Sequence, residues 1–417
     1  MARPLRELTQ IAFADNSAGK GVARAAPTLM VRKNALRLEY LDGLRALAAL
    51  YVVLFHGAVF ERLDPTSLPS LAHNAFRALS FGHDAVAVFI VLSGYCLMLP
   101  VARADGELKR GLGSYFARRA FRILPPYYAA LLGTLALLFL VPSLQVPTHT
   151  IWDDSSPAFG FGSVGSHLLL IHNLFPSFVH RINGPLWSVA TEWQIYFFFP
   201  LFLLPIWRRF GALATLLAGF VVGCLPLAFA PATAYAANTW YLGLFALGMG
   251  AAGINFASRA SEHGLRTRAP LGLITLALLG ACVVGTTVLI KFWFRVMPLS
   301  DALVGLATAA ALTYLTRHAL DTSAASRSTA LRVLETPALV GLGRFSYSLY
   351  LTHLPVVALC YLALQRFALP PAKRMAALIA VSVPLSVTVA FAFFWVFERR
   401  FVGDPRSFFG RRTASAD

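Results

Sequence analysis

Two polar residues in an apolar stretch, Arg45 and His56, have the types and the spacing that could carry chemistry. On an α-helix their separation is three turns plus about 20°, so both side chains project from one face. The rise of about 1.5 Å per residue puts His56 about 16 Å beyond Arg45. A guanidinium binds anions, and an imidazole exchanges protons near neutral pH. The pattern predicts a functional histidine deep below a cation, or else a histidine hydrogen-bonded to a neighbouring helix.

A second candidate is the basic segment SYFARRAFRILPPYY at residues 114–128. Helical spacing from Tyr115 puts Arg122 and either Arg118 or Arg119 on one face. Anchoring at a membrane surface explains such a cluster as well as an anion clamp does, because Arg binds phosphate bidentately. The two prolines that follow predict that this helix stops or kinks where it enters the membrane.

A carboxylate, Glu192, lies within the apolar stretch NGPLWSVATEWQIYFFF. Ser188, Glu192 and Tyr196 recur every four residues, which predicts one polar stripe on a helix. A charge at the centre of a bilayer costs about 2.5–3.5 kcal/mol, so Glu192 is expected near the outer surface, neutral or paired. The alternative is a surface glutamate at a helix start, where the helix dipole favours it.

A third polar stripe lies in GRFSYSLYLTHLPV, where Ser346, Tyr350 and His353 share one helical face. Counted from Arg344, His353 is about 13 Å along the helix. The stripe either faces a functional site or hydrogen-bonds to neighbouring helices. The charges in FERRF near the C-terminus are most simply a membrane-edge anchor.

The composition is that of an integral membrane protein. Of the 417 residues, 57% are hydrophobic and only 13% charged, and the mean hydropathy is +0.65; soluble domains have about 25% charged residues. The net charge of +17 does not indicate nucleic-acid binding, because the basic residues punctuate apolar runs. The four cysteines lie in separate apolar stretches without a CxxC pair, which predicts core residues rather than disulfides or metal ligands.

The apolar runs predict an all-α, polytopic membrane helix bundle with about ten transmembrane helices. The predicted spans are 44–60, 83–101, 123–141, 186–206, 212–230, 237–256, 270–290, 298–316, 338–363 and 374–398. With this topology, 28 of the 36 Lys and Arg residues fall on the side of the termini. The positive-inside rule then predicts both termini in the cytoplasm and a multi-pass protein of the inner (plasma) membrane.

The domain organisation follows from these spans: a flexible basic tail at 1–37, a transmembrane domain at 38–400 with an external segment at 142–185, and a cytoplasmic tail at 401–417. The piece SHLLLIHNLF in the external segment predicts an interfacial or re-entrant helix. Its nearby histidines, at positions 149, 167, 172 and 180, do not have the spacing of a metal site. Spans five to eight contain no candidate functional residues and are predicted to be a structural scaffold.

Taken together, five segments resemble acyltransferase family 3, the integral membrane O-acyltransferases that modify surface polysaccharides and some macrolides. The resemblance covers about residues 38–400, and its segments are LDGLRALAALYVVLFH, VFIVLSGY, SYFARRAFRILPPYY, GPLWSVATEWQIYFF and GRFSYSLYLTHLP. The family usually has two adjacent Phe residues in the second segment, where this chain has Phe89-Ile90. The resemblance implies transfer of an acyl group, usually acetyl, from cytoplasmic acyl-coenzyme A to an acceptor hydroxyl.

The resemblance also implies roles for particular residues. His56 matches the essential histidine, Arg45 the matching arginine, and Ser93 the serine of a serine–glycine pair in the second span. Coenzyme contacts are implied for Arg45, Ser93, Arg118, Arg119 and Arg122. Our hypothesis makes His56 the general base, or else a transient acyl carrier, because acyl transfer needs a base for the hydroxyl.

The acceptor side is expected to contain Glu192, which we include in the catalytic set, together with Trp187, Tyr350 and His353. No permanently bound cofactor and no metal are expected; acetyl-coenzyme A is a donor substrate. The expected partners are acyl-coenzyme A, a glycan or lipid-linked sugar, and membrane lipids. Two alternatives remain at this point: a transporter or flippase without acyl chemistry, and a structural subunit of a polysaccharide assembly complex. The sequence has no internal repeat of the kind that transporter halves often show.

Overall fold

The computed structural model describes residues 37–258, 270–289, 293–321 and 327–402. Within these ranges the chain forms helices and connecting turns, with no strand, so the predicted all-α class is confirmed. The predicted tails, 1–37 and 401–417, lie outside the described residues except at their inner edges.

The first part of the chain forms four helices that carry most of the predicted site residues. Helix α1 begins with two carboxylates, Glu39 and Asp42, in its first turn, where the helix dipole favours negative charge. Of the stop or kink predicted at Pro125 and Pro126, the stop is wrong, because α4 continues through both prolines; neighbouring groups can satisfy the freed carbonyls in a membrane helix. The four helices are α1 Glu39–Val59, α2 Ser70–Ala78, α3 Gly82–Ala102 and α4 Gly111–Leu140.

The middle part contains the external segment and three longer helices. A π-turn at Phe199–Leu203 joins α6 to α7, and α7 bends at Gly211, whose φ of 85° favours glycine. The helices are α5 Phe161–Leu168, α6 Leu186–Phe198, α7 Leu204–Cys224, α8 Pro226–Phe229, α9 Pro231–Ala237 and α10 Tyr241–Phe256.

The last part closes the bundle. Helix α16 ends in a π-turn at Phe394–Glu398, followed by a short 3₁₀ turn at Arg399–Phe401. The helices are α11 Leu271–Leu289, α12 Trp293–Leu320, α13 Thr329–Leu334, α14 Pro337–Gly343, α15 Ser346–Leu364 and α16 Pro371–Phe393.

Seven stretches among the described residues are long and apolar enough to cross a membrane. One of them, Leu186–Phe229, has 44 residues and contains two of the predicted spans. Two further predicted spans coincide with the shorter apolar helices Tyr241–Phe256 and Leu271–Cys282. The predicted span 338–363 is wrong as one helix, because the chain breaks between α14 and α15. The multi-pass bundle is confirmed, and the count of ten stays a prediction.

Close backbone contacts fix the helices that carry the site. A Cβ atom on Gly94 would lie 2.1 Å from the carbonyl oxygen of Phe245, so α3 and α10 can approach only because glycine is there. In the same way, a Cβ on Gly43 would lie 2.0 Å from the carbonyl oxygen of Leu334. A core cluster then joins α1 to α15 and α16 through Ala49, Val53, Phe345, Leu349 and Ala390. Helices α1, α3 and α15 are therefore held rigidly around one interior space.

Candidate active site

An elongated cavity of about 410 Å³ lies between α1, α3, α4, α6 and α15, a volume typical of small-molecule sites. On α3 its lining extends from Val86 to Leu97, which is about 16 Å of helix. One end, which we call the basic end, is lined by Arg45, Arg119, Arg122 and Arg344. The other end, which we call the aromatic end, is lined by Val86, Phe89, Ser188 and Tyr350.

Arg45 is held in place at the basic end by two contacts. Its guanidinium donates to Asp42 Oδ1 at 3.1 Å and to Cys96 Sγ at 3.0 Å. Asp42 is one turn away on the same helix, whereas Cys96 is on α3. The side chain therefore ties the two helices together while its remaining N–H groups face the cavity.

Arg122 is fixed by a buried carboxylate from the end of the domain. Its Nη1 lies 2.9 Å from Glu398 Oε1, and the Glu398 side chain is fully buried. The other oxygen of Glu398 accepts hydrogen bonds from the backbone N–H and the hydroxyl of Ser348. The FERRF segment thus does more than anchor the chain, because Glu398 positions a cavity arginine.

Arg118 and Arg119 differ, although they are adjacent in sequence. Arg118 donates to Ser114 and does not line the cavity. Arg119 lines the cavity, and its Nε is buried without a hydrogen-bond partner among the described residues. Of the predicted coenzyme residues, the structure brings Arg45, Ser93, Arg119 and Arg122 to one cavity and leaves Arg118 outside. Arg344, which the sequence analysis treated only as a helix-end marker, joins them.

The predicted stripe on α6 faces this cavity along its whole length, since Ser188, Glu192 and Tyr196 all line it. The Tyr196 hydroxyl donates to Glu192 Oε1 at 2.6 Å, and it lies 3.1 Å from Ser93 Oγ. A phenol has one proton to donate, so Ser93 is the donor to Tyr196. Glu192 therefore shares the cavity with the arginines, whereas we had expected it on the acceptor side.

His56 pairs with His353 in the interior of the bundle. His353 Nε2 lies 3.2 Å from His56 Nδ1, and the two ring centroids are 4.8 Å apart. His353 Nδ1 faces only acceptors, the carbonyl oxygens of Tyr350 at 2.8 Å and Leu349 at 3.2 Å, so this nitrogen carries the proton. His353 Nε2 is then the acceptor of a proton on His56 Nδ1.

The same network fixes the free nitrogen of His56. Its Nδ1 is also 2.8 Å from the carbonyl oxygen of Val52, the closer of the two acceptors, so the single proton on Nδ1 is shared between Val52 and His353 in a bifurcated hydrogen bond. A neutral His56 therefore keeps its lone pair on Nε2, to which no described residue donates a hydrogen bond. This is the tautomer that a general base needs.

Tyr350 lies between the cavity and this imidazole pair. It lines the aromatic end, its carbonyl oxygen contacts His353, and its ring centroid is 5.9 Å from that of His353. His56 and His353 themselves do not line the cavity. Tyr350 and His353 are on the same helix, about 4.5 Å apart along its axis, so the aromatic end lies within about one helical turn of the imidazole pair.

Trp187 does not line this cavity but belongs to a second buried polar cluster. Its ring stacks on His83 at 6.0 Å. His83 Nε2 lies 3.0 Å from Asp301 Oδ2 and 3.1 Å from the Tyr241 hydroxyl. Trp240 also donates to Asp301, at 2.8 Å. The interpretation of spans five to eight as scaffold was therefore incomplete, because α12 contributes the buried carboxylate Asp301, which is held by His83 of α3 and by Trp240 at the start of α10.

The external segment folds differently from the prediction for SHLLLIHNLF. Helix α5 ends at Leu168, and the chain turns at Leu170, whose φ is 54°, so a continuous helix there is wrong. The turn brings His167 onto His172 with ring centroids 3.7 Å apart. Burial lowers the pKa of His167 to about 4 and depresses the pKa of His172 further. Within the described ranges no group of three or more His, Cys, Asp or Glu side chains could hold a metal ion.

The arrangement combines three elements that acyl transfer from a thioester requires. Guanidinium groups at the basic end can bind phosphates, and the elongated cavity can hold a flexible arm. Next to the aromatic end, but outside the cavity lining, His56 has a fixed tautomer and a free lone pair on Nε2 for proton transfer.

Comparison with known proteins agrees with this chemistry. The model of the acyltransferase domain of acyltransferase family 3 matches residues 38–395. Acyltransferase MdmB of Streptomyces mycarofaciens is 27% identical over 351 residues, 77% of this chain and 79% of that protein.

Two further relatives match a smaller part of the chain. Putative peptidoglycan O-acetyltransferase YrhL of Bacillus subtilis (strain 168) is 28% identical over 170 residues, 39% of this chain and 23% of that protein. Putative O-acetyltransferase SACOL0978 of Staphylococcus aureus (strain COL) is 30% identical over 171 residues, 40% of this chain and 24% of that protein. No solved structure matches the chain.

Proposed function

Because the chain belongs to acyltransferase family 3 and is an acyltransferase, we propose that it transfers an acyl group, in the simplest case acetyl, from acyl-coenzyme A to a hydroxyl of a glycan or lipid-linked sugar. The observation that carries this proposal is the cavity, with four arginines at one end and the aromatic end at the depth of His56. The transporter and structural-subunit alternatives are set aside, because family membership makes the chain an enzyme.

The donor enters from the basic end in this proposal. Arg45, Arg119, Arg122 and Arg344 bind the coenzyme phosphates, and the pantetheine arm extends along α3 towards Tyr350. In the predicted ten-span topology, 28 of the 36 Lys and Arg residues fall on the side of the termini, which supports a basic end that faces the cytoplasm. The protein then lies in the inner membrane with both termini cytoplasmic.

His56 is the general base in the proposed reaction. Its Nε2 takes the proton of the acceptor hydroxyl while the hydroxyl oxygen forms a bond to the carbonyl carbon of the thioester. The carbon–sulfur bond then breaks, the thiolate leaves with the electron pair, and Nε2 returns the proton to the sulfur. The products are an ester and coenzyme A, with no net uptake or release of protons.

His353 is a positioning residue for this step. It shares the proton of His56 Nδ1 with the Val52 carbonyl oxygen and so helps to keep the lone pair on Nε2, as a hydrogen-bond partner does for other catalytic histidines. Glu192, tied to Tyr196 and Ser93, places a carboxylate beside the arginines; this placement supports a role in ordering the donor rather than contact with the acceptor.

The proposal is tested with membranes that contain the protein and radiolabelled acetyl-coenzyme A. We expect label in the lipid or glycan fraction with the wild type and none with His56→Ala. In parallel, purified protein should gain thermal stability with acetyl-coenzyme A, and Arg119→Ala should remove most of this gain. A folded wild-type protein that neither binds nor consumes acyl-coenzyme A would refute the donor.

A further inference from the structure

The aromatic end of the cavity is closed by one side chain in particular. Tyr350 is only 8% exposed, and its hydroxyl lies 2.6 Å from Ser188 Oγ and 3.2 Å from the carbonyl oxygen of Pro185. The Phe89 ring meets the Tyr350 ring edge-on with centroids 6.0 Å apart. The ring is thus held by hydrogen bonds at its tip and by packing on its face.

The Tyr350 ring lies at the end of the cavity where the acyl group must be placed for the proposed reaction. An acceptor hydroxyl activated at His56 needs the acyl carbon within about 3–3.5 Å, and only the aromatic end reaches the depth of His56. The acyl group therefore occupies the space next to Phe89, Ser188 and Tyr350. Any chain beyond the carbonyl has to fit against the Tyr350 ring, because the imidazole pair lies directly behind it.

From this geometry we infer that Tyr350 is the specificity residue that limits the donor to short acyl groups. The inference rests on the proposed acyl-coenzyme A donor and adds the feature that selects chain length. The ring, not the hydroxyl, sets the limit, since the ring lies between the cavity and the His353 ring, 5.9 Å away, while the hydroxyl is bonded to Ser188 and Pro185. Removing the ring extends the cavity towards His353 and makes room for further methylene groups.

The experiment compares acetyl-, butyryl- and hexanoyl-coenzyme A with wild type, Tyr350→Ala and Tyr350→Phe, by radiolabel transfer in membranes. Each excluded methylene is expected to cost the wild type about 10-fold or more in kcat/KM. Tyr350→Ala should raise the hexanoyl-to-acetyl ratio at least about 10-fold, and Tyr350→Phe should leave it near the wild-type value. An unchanged ratio in Tyr350→Ala, or a wild type that uses hexanoyl as well as acetyl, would overturn the inference.

Tyr347→Ala serves as the matched control, because Tyr347 is on the same helix and lines the cavity but contacts the Ile123 carbonyl on α4. It should weaken use of all three donors equally. Binding of unacylated coenzyme A, measured as a thermal shift, separates the possible failures. If the wild type shows no thermal shift, the proposed donor is wrong. If only Tyr350→Ala shows no shift, the comparison is repeated with Phe89→Ala, which removes the ring that packs on Tyr350. The same change in the hexanoyl-to-acetyl ratio is expected for that variant.

Discussion

The two ends of the cavity are built on opposite principles. In the proposed reaction, four arginines from α1, α4 and the α14–α15 junction, which line the basic end, together bind the phosphates of the donor. Next to the aromatic end, the proposed proton transfer depends on single atoms: the lone pair of His56 Nε2 and the neighbouring His353 Nε2. Binding is therefore distributed over many groups, whereas proton transfer is concentrated in one pair.

This difference predicts how each end responds to substitution. Loss of one arginine weakens binding and leaves three others, so kcat is retained. Loss of one imidazole removes the reaction step, so KM for the donor is retained. The following experiments rank these effects from the largest to the smallest.

The largest effect is expected for His56→Ala. General acid–base catalysis contributes about 10²–10⁴-fold, so label transfer from acetyl-coenzyme A should fall by at least about 100-fold. The thermal shift with acetyl-coenzyme A should persist, since the basic end is intact. Residual transfer above a tenth of the wild-type rate, in protein that still binds the donor, would argue that another group is the base.

A smaller loss is expected for His353→Gln. An outer residue that orients a functional histidine is typically worth about 10–100-fold, and this loss should appear in kcat. The KM for acetyl-coenzyme A should not change, because His353 does not line the cavity. A raised KM with normal kcat would instead show that His353 contacts substrate, as the sequence analysis predicted.

The basic end is tested by Arg119→Ala with Arg118→Ala as its control. A hydrogen bond to a charged group contributes about 1.5–3 kcal/mol, so Arg119→Ala should raise KM for acetyl-coenzyme A about 10- to 100-fold. The adjacent Arg118 donates to Ser114 and does not line the cavity, and its removal should change KM less than about 2-fold. Equal effects of the two substitutions would mean that the cluster acts only through its general charge.

The smallest effect concerns stability and lies outside the cavity. The folded pKa of His167 is about 4, below the unfolded value of about 6.5, so the unfolded state binds the proton first as pH falls. Because of this histidine, the free energy of unfolding should fall by about 2 kcal/mol when the pH is lowered from 7.5 to 5. The apparent melting temperature in detergent should fall over that range, and the melting temperature of the His167→Phe variant should fall less steeply.

The sequence was sufficient where the function depends on spacing within one helix. Arg45 and His56 share a face because helix geometry dictates it, and the stripe of Ser188, Glu192 and Tyr196 follows the same rule. The membrane class and the polytopic bundle followed from hydropathy alone.

The sequence was insufficient where a role depends on contacts between distant helices. Glu398 and Arg344 look like edge charges until the fold brings them to Arg122 and the cavity. Asp301 looks like an isolated carboxylate, and only α3 and α10 supply its partners. No periodicity signals such contacts, because they join residues on different helices, 61 positions apart for Trp240 and Asp301 and 218 for His83 and Asp301.

The pairing of Arg122 with Glu398 has a consequence for the order in which the protein is made. The cavity takes Arg45 from the first membrane helix and depends on Glu398 and Val402 after the last one. A ribosome synthesises the chain from its N-terminus, so a nascent chain with every helix but α16 inserted has no finished donor site. We therefore expect a chain that ends before Glu398 to lack the Arg122–Glu398 pair and to transfer no acyl groups.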